Sequence, residues 1–120
     1  MQPGKSLSTS GTQLTAPSLV LNGAGAYTFN ASNTFLINNV AESAAAVQIV
    51  KAGPGVVAFD NTSTPQFQNA ADTITINQGL VGIVMQTGGS SPIGNAALTM
   101  NGGGVLISSK GGNQNFNLPY

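Results

Sequence analysis

Residues 19–29 read LVLNGAGAYTF, residues 49–59 IVKAGPGVVAF, residues 74–84 ITINQGLVGIV and residues 98–108 LTMNGGGVLIS. The first, second and fourth align without gaps, and the third fits once a residue is removed from the turn. Each copy is an apolar-x-apolar run, a short Gly-containing turn and a second alternating run. Alternation at period two marks strands, and Gly, Asn or Pro between the runs marks turns. Gly25, Gly55, Gly79 and Gly104 stand 30, 24 and 25 residues apart. A period of that size indicates a stack of supersecondary units.

One coil of two or three short strands cannot bury its inward face alone. Stacked coils pair every strand with its equivalents above and below, about 4.8 Å away, so that like residues form columns. The frame predicts one column of Leu19, Ile49, Ile74 and Leu98, and another of Leu21, Ile76 and Met100. Asn22, Asn77 and Asn101 are expected as an Asn ladder at the corner, amide bonded to amide along the stack. Gly25, Gly55, Gly79 and Gly104 are expected to supply positive φ at the turns, with Gly53 beside Gly55 in the second. Lys51 interrupts the second column and is expected at a turn edge, stem packed and amine in water.

The expected fold is therefore all-β, a right-handed parallel β-helix of about four coils. It is one domain over residues 1–120, with an N-terminal arm (1–17), repeat coils (18–108) and a C-terminal tail (109–120). The alternative is a β-sandwich with Gly-rich hairpins. Residues 41–47, AESAAAV, have the best local helix propensity, but the stretch is short and runs directly into β-branched residues.

Composition suits many short strands. Charged residues are 5% of the chain, against about 25% in an ordinary soluble domain. Asn, Ser, Thr and Gln together supply 43 of the 120 residues, so polarity comes from uncharged side chains. The three lysines and three acids balance to zero, which removes the clustered cations that nucleic acid or an anionic membrane surface requires. No apolar run approaches the roughly 18 residues of a membrane-spanning helix. The opening MQPGKSLSTSG lacks a secretory apolar region, so an exported chain is expected to be a mature form or an excised piece. Low net charge favours association.

Within residues 47–108, Lys51, Gly53 and Gly55 form a Lys-x-Gly-x-Gly opening, and residues 73–80 read TITINQGL. Ile93, Gly94, Ala97 and Leu98 follow in order, and residues 101–106 read NGGGVL. This ordered spacing, over about half the chain, resembles the passenger-associated repeat of bacterial autotransporters. The resemblance implies a right-handed parallel β-helix outside the cell or on a bacterial surface, without catalytic residues. It also implies an adhesin-type alternative that binds a glycan or a cell surface. No translocator barrel accompanies the repeat, which implies either a piece of a passenger or a small protein built on the same unit.

Chemistry is sparse. Nucleophile-base catalysis needs a positioned base, most often His, and there is no His; nor is there any Cys for a zinc-type site. Asp60 and Asp72 are the one plausible acid pair, and both read as solvated turn residues. The Gly-x-Gly stretches lack the Lys of a phosphate loop. The chain is thus expected not to be an enzyme and to use no cofactor or metal. Phe29 and Phe59 align as core ladder members rather than as a sugar platform. A flat Thr ladder on a solenoid suits ice binding, but Thr75 aligns with Val20 and Thr99, so ice binding is a minor alternative.

A solenoid of this size has two ends, and repeat stacks need polar caps to stay monomeric. No cap is evident in the sequence. Exposed edges pair with other chains, so the leading expectation is a homo-oligomer or fibre forming a filament or surface layer. VQIV (47–50), TITI (73–76) and LTMN (98–101) are the expected edges, and Phe116, Leu118 and Tyr120 of the tail are candidate assembly contacts.

Overall fold

The computed structural model describes residues 1–43, 46–60, 67–85 and 91–110. Among these there is no helix, and every strand pairing is parallel. The first sheet contains β1 (Ser6–Thr9), β4 (Gly25–Ala31), β7 (Val47–Ala52), β9 (Thr73–Ile76) and β11 (Ala97–Met100), in that spatial order. The second stacks β2 (Leu14–Ala16), β5 (Thr34–Ile37), β8 (Val56–Asp60), β10 (Leu80–Met85) and β12 (Gly104–Ser109). A third pairs β3 (Leu19–Leu21) with β6 (Val40–Glu42). The protein is a β-solenoid. Hairpins require antiparallel neighbours, so the sandwich alternative is excluded.

Register gives the true turn length. Leu7 lies against Phe29, Phe29 against Lys51, Lys51 against Ile76 and Ile76 against Met100. One turn therefore takes 22, 22, 25 and then 24 residues, and four turns join five rungs. Residues 1–17, read as an arm, supply β1 and β2 of the first rung.

This register corrects the expected columns. Ile49, Ile74 and Leu98 do stack, but the residue against Ile49 is Tyr27, not Leu19. Ile76 and Met100 stack as expected, with Phe29 and Lys51 continuing the column in place of Leu21. Leu19 and Leu21 lie on the third face, opposite Val40 and Glu42. The physical reason is that a strand–glycine–strand corner occurs more than once per turn. The stretch 19–29 therefore joins β3 to β4, whereas its supposed equivalents join the first sheet to the second. Phe29 and Phe59 are both fully buried, yet they belong to different sheets. The last copy is also displaced by one, since Gly104 pairs with Leu80 and so stands level with Val56 rather than Gly55.

Inward positions fill the bore. Val57, Phe59, Ile74, Ile76, Val81 and Ile83 are buried completely, each gaining roughly 1.5–3 kcal/mol from leaving water. From the third rung on, the described residues of the third face, 67–72 and 91–96, form no strand. Phe67, Ile93 and Ala96 are buried there, and Phe67 meets Phe59 edge-on with centroids 5.4 Å apart. Backbone bonds from Asn95 N to Phe67 O (2.7 Å) and Ala97 N to Asp72 O (3.0 Å) continue the rung-to-rung ladder through these segments.

The turns correct the glycine expectation as well. Gly25 and Gly79 have positive φ, whereas Gly55 and Gly104 do not; Gly53 and Gly103 take that conformation instead. Asn101 donates to Asn77 Oδ1 at 2.9 Å, so two-thirds of the Asn ladder exists. Asn22 is elsewhere, its backbone N–H donating to Met1 O. The Asn101–Asn77 bond is solvent-exposed, so Asn101→Ala is expected to cost only about 0.5–1 kcal/mol in urea unfolding. A larger loss would mean the ladder extends beyond this pair.

Candidate functional site at the open edges

Two bore columns are buried from the second rung to the fourth and become exposed at the fifth. Ile76 is fully buried, but Met100 above it is 61% exposed. Ile83 is fully buried, but Ile107 above it is 47% exposed. Leu106, on the outer side of β12, is 52% exposed. At the opposite end Leu14 is 48% exposed, whereas Phe35 above it is buried. Strands β1, β2, β11 and β12 each have a neighbour on one side only among the described residues. Beside these outer strands stand the exposed apolar side chains of Leu14, Met100, Leu106 and Ile107, and a sheet edge of that kind can accept a further strand.

The two ends differ. At the first rung the chain start folds under one corner. The Met1 ammonium donates to Val20 O at 2.6 Å, and Pro3 packs beneath Gly23 and Gly25. Of the three expected edges, VQIV (β7) and TITI (β9) are interior strands paired on both sides, and only LTMN, which ends β11, lies at an edge. Phe116, Leu118 and Tyr120 lie outside the described residues.

Lys51 is not at a wet turn edge. It is fully buried in the bore, and its ammonium donates to Ala52 O (2.8 Å), Gly53 O (2.7 Å) and Gln78 O (3.1 Å). All three of its donors are used, and the third bond ties one turn to the next. Burial pulls its pKa below 10.5. Gly79 stands against the same corner, with Gly53 O, Gly55 O and Lys51 Nζ around the place a β-carbon would occupy. Lys51, Gly53, Gly55 and Gly79 thus converge on one structural corner.

The acids are not solvated turn residues either. Asp60 is nearly buried and pairs with Lys110 Nζ at 2.5 Å, two rungs away. Asp72 is fully buried; its Oδ1 accepts from Val47 N and its Oδ2 from Asn69 N, both at 3.0 Å. Asp72's carboxylate neighbour is Glu42 rather than Asp60. Glu42 Oε1 accepts from Gln68 N at 3.1 Å. No sequence signal links residues 42 and 72; only the turn length brings them together. Among the described residues no three acids, Cys or His are grouped to hold a metal ion, and no helix is long and apolar enough to cross a membrane.

The outward side of the first sheet carries no charged side chain on its strands. Its central column is Ser6, Thr28, Val50, Thr75 and Thr99. This replaces Val20, the partner the sequence alignment gave Thr75, with Val50 and adds Thr28 and Ser6.

Comparison with protein-family models, with curated proteins and with solved structures finds no match.

Proposed function

We propose that this chain is a non-catalytic structural protein, extracellular or at the cell surface, that self-associates end to end through its open rungs into a filament or layer. The observation that carries this reading is the abrupt exposure of Met100 and Ile107 at the top of columns that are buried from the second rung to the fourth. A second copy placed with β1 and β2 over β11 and β12 would continue both sheets. The contact is heterologous, so it does not close and propagates as a fibre. A net charge of zero offers little long-range repulsion to oppose it. The resemblance of residues 47–108 to autotransporter passenger repeats supports the surface location.

The test is the double variant Met100→Asp, Ile107→Asp. Both changes fall on exposed side chains of the last rung, so the fold is expected to persist by circular dichroism. The wild-type chain should gain scattering mass with concentration and show fibres by electron microscopy, and the variant should remain monomeric. A monomeric wild-type chain at millimolar concentration would overturn the proposal.

One observation favours a second reading. In the outward column of the first sheet, Thr28, Val50, Thr75 and Thr99 share one β-branched shape at rung spacing. The strands of that face present no charge or aromatic ring for ordinary ligand recognition, and such a ladder could order a water lattice as an ice-binding surface. Thermal hysteresis in the wild-type chain, abolished by Thr75→Lys, is the expected result on this reading.

A further inference from the structure

We propose that Glu42 keeps its proton and donates it to Asp72 across the seam between the second and third turns, making the third face a pH-sensitive latch that is tight in acid and slack once Glu42 is ionised. The inference is independent of end-to-end assembly. Glu42 ends β6, and Asp72 immediately precedes β9. Glu42 Oε1 holds the Gln68 amide, and the two Asp72 oxygens hold the Asn69 and Val47 amides. The pair therefore fastens one segment to the turn below it and to its own turn.

The remaining oxygen decides the protonation. Glu42 Oε2 is buried and receives no donor from the protein. As an anion it would face another carboxylate with no donor from the protein, which is costly. As a protonated acid it becomes a donor to Asp72. Burial pushes the Glu42 carboxyl up, the Gln68 amide pulls it back, and the charge and hydrogen bond of Asp72 push it up again.

No other charged side chain faces the pair. Lys51 is held by carbonyls at another corner, and Lys110 is paired with Asp60. Lys5 lies just before β1 on the first rung, and the Met1 ammonium is engaged by Val20 O on β3, the strand beneath β6. Charge on Glu42 is therefore opposed by Asp72 with no cation to offset it.

Because Glu42 binds its proton more tightly in the folded chain, its contribution is fully present below about pH 4.5 and is lost as pH rises through the folded value. The experiment is amide hydrogen exchange of Val47, Gln68 and Asn69, expressed as protection factors between pH 4.5 and 8. In the wild-type chain these amides should lose protection by roughly tenfold or more, while Ile74 and Ile83 amides keep theirs. Glu42→Gln, which supplies an uncharged donor at every pH, should flatten the profile. Asp72→Asn should lower protection throughout. Titration of the Glu42 carboxyl carbon, followed by NMR in the wild-type chain, should have its midpoint above that of an ordinary glutamate. A flat wild-type profile, an unchanged pH dependence in Glu42→Gln, or an ordinary Glu42 midpoint would each overturn the latch.

Discussion

Gly79→Ala is expected to destabilise the fold by about 3 kcal/mol or more. Two costs combine. The residue has φ of 72°, where a β-carbon costs roughly 1–2 kcal/mol. That β-carbon would also fall against the carbonyl oxygens of Gly53 and Gly55 and lie 2.8 Å from Lys51 Nζ. Backbone forms most of this obstacle, and the ladders on either side of the turn fix it, so no rotamer change relieves the clash. Whole domains are stable by only about 5–15 kcal/mol, so the melting temperature should fall by roughly 10 °C or more. Gly4→Ala is the control. Gly4 has φ of 74°, with nothing within 4 Å of the added carbon, so it reports the conformational cost alone. Equal losses in the two variants would show that close stacking at the Gly79 turn contributes nothing.

Lys51→Met is expected to cost about 2–4 kcal/mol. Methionine fills the column between Phe29 and Ile76 nearly as well as the lysine stem does, and removing a buried charge is often neutral when its partner is replaced with it. Here the partners are backbone carbonyls and cannot be replaced. Ala52 O, Gly53 O and Gln78 O would lose their donor together, and a buried acceptor left unpaired costs roughly 1–3 kcal/mol. Chemical unfolding of the two chains measures the difference. A neutral result would mean that water reaches the three carbonyls once the ammonium is gone.

Strand content and stacking were legible because alternation and glycine spacing are local signals. Ile49, Ile74 and Leu98 entered one column correctly, since β7, β9 and β11 have the same length of chain between them to within a residue. Leu19 and Leu21 entered the wrong columns because a 22-residue turn was hidden by a spurious 30-residue spacing across two kinds of corner. Lys51 carried a readable clue, a cation followed by Gly-x-Gly at the end of an apolar run, but its burial depends on the carbonyls of the following turn. Glu42 and Asp72 carried none. Their proximity is a product of turn length alone, and turn length is what local similarity measures least well. The sequence shows no evident polar cap, but which of the described strands lie at the two ends required the register.

The parallel ladders also make the molecule's resistance to force depend on direction. Hydrogen bonds between rungs run roughly along the stacking axis, so tension spread evenly over the fifth rung would load the bonds of a whole seam at once. A pull on the chain beyond Ser109 instead opens the β10–β12 seam one bond at a time, starting where Ser109 meets Met85. Lys110 stands at that starting point, with its amide on Met85 O and its ammonium reaching past a rung to Asp60. The exposed cation adds little to equilibrium stability, yet it sits where peeling must begin.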